Sequence, residues 1–308
     1  MKIFCHNFDP SSNSGPNKFT RQLMNTMMEF NGVKVVSNQT EADAEFALIH
    51  LEKEKVKPTL LRLDGIYFNS AQNYYQQNQP IMYSYQSADC VIFQSMFNKG
   101  LTEHWFGTHK NTAVIHNAAD LTLIEKAYPL NINDIVHNAA DVWSCASSWR
   151  PHKRLEDNLR YFLEFSGPKD IMLVAGKNAD VLTIKKYNRL TNGRVYYLGD
   201  LNYFDLLSVY KASSKFVHLS YLDHCPNVVV DAQAAGCKII CSSSGGTKEI
   251  VTNGEMILED LWDYSPIELY NPPPLNFSKK TPIKKDRDEA TSIKEVSQMY
   301  FDKISSII

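Results

Sequence analysis

Asp223 and Asp231 stand eight residues apart in the run YLDHCPNVVVDAQAAGCKIICSSSGGTKEI, and the second falls inside a stretch that otherwise reads as buried helix. Carboxylates are seldom buried without a partner. Pro226 suits the first position of a helix, where a missing N–H costs nothing, and Gly236 would end it. On that helix Asn227, Val228, Asp231, Ala234 and Ala235 share one face. Asp231 then points toward an interior or a cleft floor, where an unpaired ion is costly. A ligand diol would satisfy it, and so would an internal arginine.

The surroundings favour a ligand. Residues 225–228 lie at a helix start, where orphan amides and the helix dipole suit an anionic group. Gly245, Gly246 and Thr247 belong to a second small-residue loop, SSSGGT, whose backbone could come close to a ligand. Taken alone, that loop reads equally well as an ordinary strand-to-helix turn. Arg150, Lys153 and Arg154 in SSWRPHKRLED could neutralise a diphosphate, although by itself this run reads as a solvated helix start. A diol-binding acid, phosphate-binding amides and a basic cluster together describe a site for a nucleoside diphosphate.

The elements that must carry these residues form an α/β pattern. Strand-like runs at MKIFCHNF, VKVVS, FALIH, TLLRLDG, CVIFQS and TAVIH alternate with helix-length stretches, including one over KFTRQLMNTMMEFNG that closes at Gly32. Strands joined by crossovers imply a parallel sheet flanked by helices. The pattern restarts with DVWSCASS, DIMLVAG, VYYLG, KFVHLSY and KIICS. Ligands in such sheets bind outside the carboxyl ends of the strands. The reading is therefore two Rossmann-like domains, 1–135 and 136–290. A joint near residues 120–140 carries the near-repeat IHNAAD and VHNAAD. The segment YNPPPLNFSKKTPIKKDRDEA reads as extended and superficial. A final helix over 291–308, striped by Ile293, Val296, Tyr300, Ile304 and Ile307, packs on its parent sheet or back on the first domain.

Composition narrows the classes. With 308 residues, 44% hydrophobic and 21% charged, the chain is a globular protein with room for two cores. A net charge of −2 gives nucleic acid no electrostatic footing. The six cysteines show neither C-x-x-C pairing nor zinc spacing, so no metal and a reducing, cytoplasmic setting are expected. No leader or transmembrane segment is expected either. Peripheral membrane docking through the Lys-rich tail is left open.

These residues resemble the donor-site signature of retaining GT-B glycosyltransferases, the large GT4-like family (glycosyl transferases group 1) with an E-x7-E motif. Here it stands as Asp223-x7-Asp231, followed by CPN, a helix, a strand and GG-x-x-E. GPNKFTRQLM, LRLDGI, SADCVIFQSMFNKG, AVIHNAAD and SSWRPHKRL extend the likeness over most of residues 13–250. The resemblance implies a GT-B fold, with two Rossmann-like domains whose parallel sheets face across a cleft. It implies a metal-independent enzyme that moves a hexose from a nucleotide-diphosphate sugar, needing no other cofactor, to a glycan, lipid or protein acceptor it does not specify. Asp231 would hold the donor ribose, and Asp223 the transferred sugar. The amides of Asn227 and Val228 would face sugar and phosphate, and Lys153 with Arg150 would stabilise the departing diphosphate. Gly15 would lie in a loop closing from the first domain, and the loop at Gly199 and Leu201 would approach the base.

His6 and Asp64 are candidates to position an acceptor, while His116 reads as a satisfied residue at the joint. Among rivals, the D-x-D letters at Asp286 and Asp288 lie in a lysine-rich stretch unsuited to a metal-dependent GT-A enzyme, and no G-x-G-x-x-G supports a dehydrogenase. A nucleotide-sugar epimerase is the closest enzymatic alternative. A GT-B protein that binds glycan or a partner without turnover is the other, motivated by Asp where Glu is usual.

Overall fold

The computed structural model describes residues 1–12, 14–285 and 291–308. The first unit comprises Met1–Asp120, Asp263–Ile267 and Thr291–Ile308. Its strands are β1 (Lys2–His6), β2 (Lys34–Val36), β3 (Ala44–Leu48), β4 (Thr59–Leu63), β5 (Cys90–Phe93) and β6 (Thr112–Val114), with helices α1 (Gly15–Phe30), α2 (Tyr74–Ser87) and α3 (Met96–Phe106) between them. They form a parallel sheet in the order β2-β1-β3-β4-β5-β6. β3, β4 and β5 are buried along their whole length, as parallel strands covered on both faces should be.

The second unit spans Leu121–Trp262 and Glu268–Ala290. It contains α4 (Leu121–Lys126), β7 (Val142–Ala146), α5 (Leu155–Phe165), β8 (Ile171–Ala175), α6 (Val181–Leu190), β9 (Val195–Gly199), α7 (Tyr203–Ala212), β10 (Lys215–His218), α8 (Asn227–Ala234), β11 (Lys238–Ser242), α9 (Thr247–Ile250), β12 (Asn253–Ile257) and β13 (Lys280–Lys284). The sheet order is β13-β12-β11-β10-β7-β8-β9, parallel except for the β12–β13 pair. Alternation along β8 divides the core. Met172 and Val174 join Trp143, Leu159 and Phe162 on one side, while Ile171 and Leu173 join Val209 on the other.

Two sequence expectations shift, and one open alternative is resolved. The first unit ends at Asp120, not at residue 135, and the second-unit segment after it packs Leu130, Ile132 and Val136 on its own core. The proline-rich segment is not merely superficial. Leu275 and Phe277 are buried beside Tyr161, and Lys280–Lys284 adds β13 as an antiparallel edge strand. Pro282 is tolerated there because an edge strand needs only one side of its ladder. The last helix, α10 (Ile293–Ser305), opens with a capping box at Ser292 and Glu295. Its Ile293, Val296, Tyr300 and Ile304 enter the first unit's core, and Ile307 packs against it.

Candidate active site

The second unit's motif residues gather at the carboxyl ends of its central strands. β10 ends at His218, and the chain then turns through Leu222, whose φ is +52°, to present Asp223. Asp223 is held from behind by the SSSGGT loop. Its carbonyl accepts the Gly246 amide at 2.7 Å, and the Leu222 amide donates to Ser244 Oγ at 3.2 Å. Gly245 has φ +73°, and a Cβ there would fall 2.4 Å from the Asp223 carbonyl oxygen. That glycine is thus required by the backbone of Asp223 itself, a closer constraint than the ligand approach expected of it. Thr247, buried, begins α9.

Lys153 reaches the same place from the short helical turn Pro151–Lys153 that follows β7. Its Nζ lies 2.5 Å from Asp223 Oδ2, and His218 Nε2 lies 3.0 Å from that same oxygen. Burial opposes ionisation of Asp223, but the Lys153 ammonium and the His218 hydrogen bond prevail and hold its pKa well below the usual carboxylate value. Burial pushes the His218 imidazole down, against the pull of Asp223. His152, stacked on Tyr270 at 5.4 Å, is pushed down to about 3 by burial and then by Lys153.

Asp231 is 4% exposed on α8. The Tyr203 hydroxyl, from the first residue of α7, donates to its Oδ1 at 3.1 Å. This places the loop carrying Gly199 and Leu201 next to Asp231. Gly199 closes β9, its carbonyl taking the Gly176 amide at 2.7 Å, and Leu201 packs toward Leu130 and Val209. Pro226 is the N-cap of α8, one position earlier than expected, because its ψ of 117° is extended and not helical. Asn227 and Val228 are the first residues of that helix and are half-buried. Gly236, with φ +103°, ends it as expected.

The basic cluster divides. Arg150 is exposed, with its carbonyl receiving the Lys153 amide at 2.8 Å. Arg154, read from sequence as a third cation for a diphosphate, is buried instead. Its guanidinium forks onto Glu259 at 2.9 and 2.6 Å, donates to the Pro273 carbonyl at 2.8 Å and covers the Tyr221 ring. A left-handed φ of +51° turns it away from its neighbours, which spacing alone does not reveal.

In the first unit, His6 is fully buried and bonded to Glu45 Oε2 at 3.0 Å, so it is framework and not available to an acceptor. Asp64 bonds Arg62, whose other arm reaches Asn117 Oδ1 at 2.9 Å; burial raises the Asp64 pKa against the opposing Arg62 charge. His116 is half-buried beyond β6. Gly15 is the exposed first residue of α1, on the first unit, whereas the other candidate donor residues belong to the second. Asp286 and Asp288 lie outside the described residues. Among the described residues no helix is long and apolar enough to cross a membrane, and no group of three or more His, Cys, Asp or Glu could hold a metal ion.

Sequence reasoning missed His218 and Tyr203. The signal available for each was position: one ends a central parallel strand, and the other opens the helix after the Gly199 loop.

Two α/β units with parallel sheets, one carrying acids and a lysine at its strand ends, define the GT-B class of fold. Comparison with known proteins agrees. The family model for glycosyl transferases group 1 matches residues 143–260, which lie in the second unit. An uncharacterized glycosyltransferase of Methanocaldococcus jannaschii is 23% identical over 244 residues, covering 76% of this chain and 59% of that protein. The match therefore spans less than two thirds of the relative's length. Sucrose-phosphate synthase from Thermosynechococcus elongatus aligns with a TM-score of 0.67 at 16% identity, covering 88% of each chain. Anabaena HepE in complex with UDP-glucose aligns with a TM-score of 0.61 at 16% identity, over 99% of this chain and 95% of that one.

Proposed function

We propose that the chain is a retaining glycosyltransferase of the GT4-like kind, which moves a hexose from a nucleotide-diphosphate sugar to an acceptor hydroxyl without a metal ion. The observation that carries this is the pairing of Lys153 and Asp223, 2.5 Å apart, which follow β7 and β10 in the second unit, within the residues matched by the group 1 family model. Asp231 takes the ribose hydroxyls, steadied by Tyr203. The first amides of α8, at Asn227 and Val228, face the sugar and phosphate. Asp223 accepts from hydroxyls of the transferred sugar.

During reaction the anomeric C–O bond to the diphosphate breaks and the acceptor oxygen bonds the same carbon from the same face. The acceptor proton passes to the leaving phosphate, and no protein nucleophile takes part. Negative charge builds on the diphosphate as the sugar becomes oxocarbenium-like. A cation that meets that charge lowers the barrier more than it stabilises the bound donor. Lys153, with exposed Arg150 nearby in sequence, fills this role by exchanging Asp223 for phosphate. HepE was solved with UDP-glucose, which makes that donor the first to try.

The test is a thermal-shift screen with UDP-, GDP- and ADP-sugars followed by donor hydrolysis. At least one nucleoside diphosphate should stabilise the protein, and Asp231→Ala and Lys153→Ala should each abolish the shift. Indifference of binding to both substitutions would remove the proposal. Binding with no turnover across a broad acceptor panel would leave a sugar-nucleotide-binding module in its place.

A further inference from the structure

The donor-site reading leaves His218 without a task. This buried side chain ends β10 and touches the one acid that Lys153 also touches. An ionised carboxylate can only accept, so His218 Nε2 must carry the proton it shares with Asp223 Oδ2. Lys153 binds that same Oδ2. Among the described residues nothing is bonded to Oδ1, and the Asp223 side chain keeps 13% exposure. Both donors therefore pin one oxygen and leave the other for a ligand.

We propose that His218 is a positioning residue that fixes the Asp223 carboxylate, presents Oδ1 to a hydroxyl of the transferred sugar, and keeps it there once Lys153 has moved onto the diphosphate. The proposal rests on the donor-site reading and deepens it. Lys153 has two anions to serve, Asp223 in the empty site and phosphate in the loaded one. A single ammonium on a flexible stem cannot hold a carboxylate in place while it follows the charge of a leaving group. His218 can, because it is buried and packed in place. Its ring lies parallel to buried Phe216, at an interplanar angle of 14° and a centroid distance of 6.2 Å, and its backbone is part of the sheet.

The charge logic agrees. Burial favours the neutral imidazole, so His218 supplies a hydrogen bond without adding a second full positive charge beside Lys153. The titratable neighbours that act on this group are Asp223 and Lys153, with His152 and His224 close by. A neutral donor does not compete with Lys153 for the diphosphate. It leaves the lysine free to exchange partners.

The experiment compares His218→Leu with His218→Gln, whose side-chain amide restores a donor near the Nε2 position. Misplacement of a reacting group by about 1 Å costs up to roughly 100-fold. His218→Leu should therefore lower kcat for donor hydrolysis by about 10- to 100-fold. The Kd for UDP, which lacks the sugar, should change by less than about twofold, since the phosphate ligands are untouched. His218→Gln should recover most of the lost kcat. Equal loss in both variants, an unchanged kcat in His218→Leu, or a UDP Kd that weakens in step with kcat would overturn the proposal. Nitrogen NMR of the ligand-free wild type supplies a readout independent of turnover. The His218 ring should be neutral with its proton on Nε2, and a proton on Nδ1 would overturn the proposal as well. A wild type that binds no nucleoside diphosphate ends the donor-site reading and takes this proposal with it. A wild type that binds and turns over while the two variants behave alike ends this proposal alone.

Discussion

Each unit ends a strand with a buried histidine facing an acid, and the two pairs differ in what the acid has left to give. In the first unit His6 closes β1 against Glu45, which is 0% exposed within β3. Glu45 Oε1 accepts from the Gln39 side chain at 2.9 Å and from the Val56 and Lys57 amides at 2.8 and 2.9 Å; Oε2 takes His6 at 3.0 Å and Thr59 at 3.2 Å. In the second unit His218 closes β10 against Asp223, which lies on a loop and is bonded through one oxygen only. An acid inside a strand is surrounded by its own chain and becomes framework. An acid just past a strand end is held from one side and can serve a ligand from the other. Acceptor capacity kept or spent, more than burial, separates the two.

The strongest way to break this contrast is to delete the acids. Glu45→Ala should cost about 3–5 kcal/mol of stability, the scale for removing one partner from a buried polar pair, read from denaturant midpoints of full-length protein. Asp223→Ala should cost less stability, because Lys153 is 18% exposed and can turn to water, while kcat falls by roughly 100-fold or more. Comparable stability losses in both variants would erase the distinction.

Acid sharpens it next. His152 titrates near 6.5 when unfolded but is held down to about 3 when folded. Its folded pKa is depressed, so the native state prefers the neutral ring. That contribution is complete above pH 6.5 and is lost as pH falls toward 3, by about 1.4 kcal/mol per pH unit. Lowered His218 and His224 push in the same direction. Asp223 also resists acid, but only below the ordinary carboxylate pKa, in a window that scarcely overlaps. Denaturant midpoints from pH 7 to pH 4 should fall, and His152→Gln should flatten the fall. Parallel curves for the two proteins would refute this.

The smallest effect concerns Tyr203. Removing its hydroxyl takes one hydrogen bond from Asp231, worth about 1 kcal/mol, so Tyr203→Phe should weaken nucleoside diphosphate binding by roughly fivefold. The same substitution should narrow the preference for the ribonucleotide over its 2′-deoxy analogue. A deoxy analogue that loses as much affinity in the variant as in the wild type would place Tyr203 outside ribose recognition.

Much of the fold was legible because parallel strands buried on both faces read as near-continuous apolar runs. TLLRL, CVIF, VWSCA and IMLVA leave few other readings. The edge was not legible. β13 reads KTPIK and lacks the pattern, because an edge strand is half solvated and tolerates Lys and Pro, and β12 beside it, NGEMI, buries only Ile257 although it is paired on both sides. In the site, the two aspartates stood out because acids are anomalous in apolar runs. His218 and Tyr203 did not, since a histidine ending a strand and a tyrosine opening a helix are unremarkable until the partner is known. Arg154 misled for a related reason. Three neighbouring cations look alike in sequence, and only the backbone at Arg154 decides which one turns inward to Glu259.

The central claim is that the second unit's strand ends hold a nucleotide sugar, ribose on Asp231 and diphosphate on Lys153. A crystal structure of the protein soaked with UDP-glucose, or with whichever donor stabilises it most, tests this directly. The account predicts ribose hydroxyls within hydrogen-bond distance of the Asp231 carboxylate and the Lys153 ammonium transferred from Asp223 to a phosphate oxygen. A nucleotide bound elsewhere, with the Lys153–Asp223 pair unbroken, would contradict it.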